Sequence, residues 1–532
     1  MTEPAAEARP EIRPEARKQT LDKDLDKLIR VEEAASFLAR GLVAPGLGLL
    51  FLALSGIVAA LFVMGEPGGV VIIAAAAIGG YLALNIGAND VANNVGPAVG
   101  AKALTMGGAL AIAAVFESAG ALIAGADVVT TISSGIVSPE AIADPGVFVR
   151  LMLAALVSSA LWINLATWIG APVSTTHAVV GGVAGSGIAA AGFAAIDWST
   201  MGGIAASWVI SPVLGGIVAS LFLAFIKAAV IYQDDKITAA RLWVPLLIAV
   251  MAGAFSAYLV TKGLKRVVDV SALQIAAVGL GSFVLVWGLA KISVDRQAVN
   301  MENRNQSLRK LFRLPLIFSA ALLSFAHGAN DVSNAVGPLA AIVQAASGER
   351  SATVAIPLWV MVIGAAGISL GLVLFGPKLI RMVGGQITKL NPMRAFCVAL
   401  SAAITVIVAS WFGMPVSSTH IAVGAVFGVG FFREWYTANS PRRRTYLERK
   451  VKRARAARAE SARNGERKAK GGENGNGDDL EEDGPPVSRE EIARRRLVRR
   501  AHVTTIATAW VTTVPASAVL AAGVFMLLRM LA

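Results

Sequence analysis

GANDVANNVGPAVG at residues 87–100 returns as GANDVSNAVGPLAA at 328–341, and GAPVSTTHAVVGG at 170–182 returns as GMPVSSTHIAVGA at 413–425. The Asp residues of the first pair, Asp90 and Asp331, are 241 positions apart; Ser174 and Ser417 of the second are 243 apart. Two motifs in the same order at nearly the same spacing mean that the chain is built twice. Apolar runs surround them, near 44–64, 69–86, 107–125, 150–169, 203–231, 243–260, 270–290, 314–327, 356–376, 394–412 and 503–529. Most approach the roughly 20 residues that a helix needs to cross a bilayer core. A polar backbone survives in lipid only as helix or closed barrel. The sequence therefore predicts an all-α polytopic membrane protein of two repeats. It should have about 11–13 membrane segments, including re-entrant helical hairpins at 177–193 and 420–432.

Composition agrees. Of 532 residues, 55% are apolar and only 16% charged, against roughly 25% charged in a soluble domain. A soluble enzyme, a disulfide scaffold and a coiled coil are excluded. The single Cys397 lies in an apolar run and reads as packing.

The net charge of +13 is concentrated. Residues 290–313 carry +4 and residues 433–502 carry +8, while residues 1–40 carry −1. Short Lys/Arg-rich loops stay on the cytoplasmic side. The organisation read from this is a cytoplasmic polar tail (1–43), an extra N-terminal helix (44–66), transport repeat 1 (67–232) and intervening helices with a basic loop (233–312). Transport repeat 2 (313–432), a basic, partly disordered cytoplasmic loop (433–502) and a C-terminal helix (503–532) complete it. The 433–502 loop has no aromatic interleaving suited to bases, so nucleic acid is not expected as a partner. The first 40 residues are polar, so a cleavable signal peptide is not expected ahead of the first apolar run.

Asp90 and Asp331 each follow an apolar run and are flanked by Asn89 and Asn93, or Asn330 and Asn334. A carboxylate at membrane depth is costly unless paired, and neither motif holds an Arg or Lys. Close helix packing explains the glycines but not the acids. A mobile cation, Na⁺ or H⁺, is the economical partner, with Gly and Pro breaking the helix to free backbone carbonyls as further ligands. In the second motif, Ser174-Thr175-Thr176 and Ser417-Ser418-Thr419 follow Pro-Val. Hydroxyls at a helix N-terminus cap ordinary helices, but they also build anion sites; the duplication favours the anion site. His177 and His420 end the motifs, and structural and proton-linked roles stay open for them. Glu117, inside the run 107–125, needs a partner or a proton and reads as cation-handling. It has no acidic counterpart in the second half, and His327 is matched by Ile86 in the first.

The paired G-A-N-D-V-x-N-x-V-G-P and P-V-S-[ST]-T-H motifs resemble those of the inorganic phosphate transporter (PiT) family over both halves of the chain. The resemblance implies a fold of two inverted repeats and symport of inorganic phosphate with Na⁺ or H⁺, by a homodimer embedded in the lipid bilayer, without a cofactor or resident metal. It implies that Asp90 and Asp331 belong to the cation core, that Ser174, Thr175, Thr176, Ser417, Ser418 and Thr419 line the phosphate site, and that Glu117 matches the acid of an F-E-[ST] stretch. One departure is that NPMRAFCVALSAAITVIVAS at 391–410 lacks an acid that some relatives carry. The function expected is a phosphate symporter, taking phosphate alone or as a metal–phosphate complex, in a bacterial inner membrane. The alternatives are a sulfate permease of the same fold, a passive anion channel and an intramembrane aspartyl hydrolase.

Overall fold

A computed structural model describes residues 42–66, 68–142, 144–169, 173–264, 268–347, 356–386, 390–441, 445 and 500–531. Nearly all of the expected tail 1–43, and residues 446–499 of the basic loop, lie outside the described residues. The chain divides into two units, residues 1–50 and 51–532. The first is described only over the opening turns of α1 (Leu42–Val63).

The second unit is helical. In order come α2 (Gly69–Asn89), α3 (Ala92–Gly100), α4 (Met106–Ala124) and α5 (Ala126–Thr130) with a π-turn (Thr131–Gly135). Next are α6 (Pro145–Ile169), α7 (Thr175–Ala191), α8 (Trp198–Ile226), α9 (Lys236–Lys262) and α10 (Ala272–Ala298). The last are α11 (Asn305–Leu311), α12 (Arg313–Ala346), α13 (Leu358–Gln386), α14 (Pro392–Trp411), α15 (Ser418–Asn439) and α16 (Arg500–Leu531). Among the described residues ten helices are long and apolar enough to cross a membrane, or eleven if α11 and α12, bent by 43°, count as one span. Helix α7, at 17 residues, is not one of them, and neither is α15. The only β-pairing among the described residues is the isolated bridge between Val137 and Ile196.

Packing follows the duplication. Helix α2 lies on α13 while α4 lies on α12, and α8 lies on α15 while α16 lies on α7. Each contact joins an element of one half to an element of the other, and each recurs with the halves exchanged. Glycines permit the close crossings. A side chain on Gly87 would overlap the Ile368 backbone, and one on Gly328 the Glu117 backbone. Between the two halves the Ser118 and Ser369 hydroxyls meet at 2.7 Å. Helix α10 packs on α9 and leaves Leu273, Leu280, Leu285 and Leu289 exposed, as suits a face bathed in lipid.

The expected helix break occurs in one half only. Helix α2 stops at Asn89 and α3 starts at Ala92, joined by a tightened turn in which Asn93 N–H donates to the Asp90 carbonyl at 3.1 Å. The second motif does not unwind: α12 runs through Asp331 to Ala346. Proline removes one N–H and so frees only the carbonyl four residues earlier, here that of Asn93 for Pro97 and of Asn334 for Pro338. Almost every residue of α12 from Ser319 to Ile342 is buried. Its neighbours hold it straight where sequence composition favours a break.

Candidate functional site

The α6–α7 and α14–α15 hairpins bring two helix N-termini to the centre of the unit, where they meet the turn after α2 and the middle of α12. Ser174 and Ser417 are the N-caps, and each hydroxyl accepts from a His N–H, of His177 and of His420, at 3.3 Å. Their extended backbones set the direction of α7 and α15. The hydroxyls that follow turn to the acids. Thr175 donates to Asp90 at 2.8 Å and Ser418 donates to Asp331 at 3.3 Å, corresponding contacts in the two halves. Thr419 donates across the halves to Asp90 at 3.3 Å. Two amides complete a reciprocal exchange: Asn93 donates to Thr419 at 3.0 Å and Asn334 to Thr176 at 3.2 Å. All six hydroxyl residues, both acids and Asn334 are buried or nearly so.

Asp90 and Asp331 thus lie in one pocket, with hydroxyls, amides and an imidazole as their neighbours. One oxygen of each, together with a His327 ring nitrogen, lie within 4.8 Å of one another. Oxygen-rich, compact and buried, this is a setting a desolvated cation accepts. The second Asp331 oxygen, Oδ1, and Asn334 Oδ1 are buried acceptors without a donor among the described residues.

His327 is the residue that sequence reasoning passed over, because Ile86 matches it. Its ring lies between two acids, Nδ1 at 3.2 Å from Glu117 and Nε2 at 3.0 Å from Asp331, with both side chains fully buried. Asn94 donates to Glu117 at 3.0 Å. A neutral imidazole carries one N–H. Two carboxylates flanking it therefore need one further proton, on the ring or on an acid. The signal was present in the sequence: His327 precedes Asp331 by one helical turn, and Glu117 lacked a partner. In the other half the equivalent positions are Ile86 and Ile368, both buried. One half carries a polar pair where the other carries two isoleucines.

Asn330 is placed differently from its expected cation-binding role. Its amide donates to Ser410 at 2.9 Å and to the Met414 carbonyl at 3.1 Å, and its oxygen accepts the Val416 N–H at 3.1 Å. Asn89 is half-buried, and Gly170–Pro172, which precede α7, lie outside the described residues. The imidazoles of His177 and His420 lie 4.7 Å apart, tilted by 37°, and His177 lies 3.8 Å from the Trp208 ring. The packing also shows that the C-terminal helix has a counterpart. Helix α8 packs on α15 as α16 packs on α7, a correspondence that the sequence reading missed.

The sequence profile described as "Phosphate transporter family" matches residues 86–521. A protein of Helicobacter pylori strain J99, named "Putative phosphate permease", is 55% identical over 416 residues, covering 77% of this chain and 78% of its own. A protein of Pyrococcus abyssi under the same name is 38% identical over 360 residues, covering 67% of this chain and 87% of its own. A solved structure of a sodium-dependent phosphate transporter superposes with a TM-score of 0.72 at 30% identity, covering 87% of this chain and all of that one. The match spans both duplicated motifs, both hairpins and most of α16, so the chain belongs to the phosphate transporter family.

Proposed function

We propose that the chain is a symporter of inorganic phosphate driven by Na⁺, with Asp90 and Asp331 holding the cation and the two hydroxyl-bearing helix ends holding the anion. The observation that carries this is the pocket itself: two buried carboxylates with no Lys or Arg among their described partners, directly beside Ser174, Thr175, Thr176, Ser417, Ser418 and Thr419. An oxyanion cannot approach two bare carboxylates, whereas a cation bound between them reverses the sign of the local field. The hydroxyls and the positive helix ends then receive the anion without an arginine. The structural neighbour's dependence on sodium supports Na⁺ as the driving ion. A second reading, H⁺, rests on the imidazole held between Glu117 and Asp331, which binds one proton in a dry place.

Phosphate is favoured over sulfate by the unsatisfied acceptors Asp331 Oδ1 and Asn334 Oδ1, because phosphate brings a proton at neutral pH and sulfate does not. The hydrolase reading falls away, since the family and the named relatives are transporters and permeases. Asn89 and Asn93 complete the cation environment from the first motif, and His177 and His420 serve as packing at the meeting of the two helix ends. The two halves are inverted repeats that rock about this site to alternate access, and the working unit is a homodimer in a bacterial inner membrane.

The test is uptake of labelled phosphate into proteoliposomes, with Na⁺ and pH gradients imposed separately. Uptake should follow the Na⁺ gradient. Asp90→Asn and Asp331→Asn should each abolish accumulation while the protein remains monodisperse. Equal uptake with neither gradient would sink the symport reading and leave a channel; sulfate outcompeting phosphate would reassign the substrate.

A further inference from the structure

The segment Gly413–Val416, which leads into α15, is irregular, yet none of its four carbonyls lacks a partner. Gly413 accepts from Thr131 of the π-turn at 2.7 Å and Met414 from Asn330 of α12 at 3.1 Å. Pro415 accepts from the Trp208 indole N–H of α8 at 3.0 Å, and Val416 from Thr176 of α7 at 3.1 Å. Four donors from four elements fix this stretch, and Gly413, at φ +67°, supplies the left-handed turn that begins it. These carbonyls are therefore spent on position and are not offered to a cation, as an unwound segment would otherwise suggest.

Trp208 differs from the other three donors. Its indole N–H holds the backbone just ahead of α15, and its ring lies against His177 in the first turn of α7, 3.8 Å between centroids. His177 in turn lies 4.7 Å from His420 in the first turn of α15. One side chain thus touches the N-terminal region of both hydroxyl-bearing helices. We infer that Trp208 is a positioning residue for the oxyanion: it fixes the separation of the two helix ends and thereby how well a tetrahedral anion fits between their hydroxyls. Among the described residues its N–H bond goes to Pro415 and not to Asp90 or Asp331, and an indole offers a cation no oxygen ligand. The inference rests on the phosphate reading above.

The test compares Trp208→Phe, which keeps a ring against His177 and removes the N–H, with Trp208→Leu, which removes both. Trp198→Phe is the control. It lies on the same helix and loses a similar bond, to the Phe193 carbonyl at 2.9 Å, but at an exposed site at the start of that helix. Each is reconstituted in full-length form, and phosphate uptake is normalised to folded transporter. Trp208→Phe should raise KM for phosphate about three- to ten-fold, the size of one lost buried hydrogen bond, with maximal rate within about two-fold. Trp208→Leu should raise KM further and weaken discrimination against sulfate, and Trp198→Phe should behave as wild type. An unchanged KM in Trp208→Phe would overturn the inference, as would equal losses of maximal rate in both Trp208 variants at constant KM, which mark simple packing. If Trp208→Leu fails to fold, the Phe variant decides alone. Absence of uptake by the wild-type chain would instead remove the phosphate reading and this inference with it.

Discussion

The asymmetry between His327–Glu117 and Ile86–Ile368 is a stability statement as well as a functional one. Removing one partner of a buried charged pair leaves the other uncompensated, at a cost of about 3–5 kcal/mol; replacing both by apolar groups of similar volume is often neutral. His327→Ile alone should therefore lower the thermal midpoint of the detergent-solubilised protein sharply. The double variant Glu117→Ile/His327→Ile copies the pair found in the other half and should regain most of that loss while transport stays impaired. A double variant no more stable than the single one would show that the shared two-fold environment does not exist. At this scale the sequence was legible where cost is local. A carboxylate in an apolar run announces itself, and Asp90, Asp331 and Glu117 were all readable. His327 and Asn330 were not, because their roles depend on which helix lies opposite: α4 for His327, and the Ser410–Val416 stretch for Asn330.

Among the elements, the exchange of α8 and α16 between halves gives each hydroxyl-bearing helix a support from the other half's chain. Gly424 and Gly428 of α15 face the backbone of Pro212 and Gly216, and Gly181 and Gly185 of α7 face that of Val514 and Ala518. Ser517 donates to the Ala178 carbonyl at 2.5 Å. A Cβ at Gly428 or Gly185 would overlap backbone, which cannot move aside as a side chain can. Gly428→Val and Gly185→Val should each impair folding or uptake, to a similar degree since the contacts correspond. Gly281→Ala, whose Cβ meets open space, should be neutral or stabilising by up to about 1 kcal/mol; thermal unfolding beside uptake checks all three. A different rule governs where α8 and α9 begin. Asp197 and Asp235 accept from N–H groups of the first turn and from Thr200 and Thr238 hydroxyls. These bonds hold both carboxyls below their ordinary range, the backbone bond from the Thr being the largest cause. A lowered pKa means that the stabilisation is complete above the unfolded value, about 3.9, and is lost as pH falls through the folded value. Asp235→Asn, which caps without titrating, should flatten the stability–pH curve below about pH 4. Equal slopes in both proteins would show that the cap contributes nothing. The exchange of α8 and α16 was not readable from sequence, since small residues at spacing four say that a helix packs closely but not against what.

For the whole molecule the decisive quantity is charge within the dry centre. Glu117, Asp90 and Asp331 bring up to three negative charges and His327 at most one positive, with no Lys or Arg in their described contacts. Two like charges about 5 Å apart repel by roughly 3 kcal/mol at an effective dielectric near 20, so phosphate meets a barrier of several kcal/mol until a cation enters. Cation and anion must then bind with positive coupling, and linkage makes the effect reciprocal: each raises the affinity for the other by the same factor. The measurement is thermal stabilisation of the purified protein by phosphate at fixed ionic strength, in NaCl and in choline chloride. Phosphate should raise the midpoint in Na⁺ and have little effect in choline at pH 8. Recovery of the shift in choline at pH 5.5 would assign the cation's place to a proton on the Glu117–His327–Asp331 group. A phosphate shift of equal size in choline at both pH values would mean that the acids do not oppose the anion, and the physical reason for coupling transport to a cation would be gone.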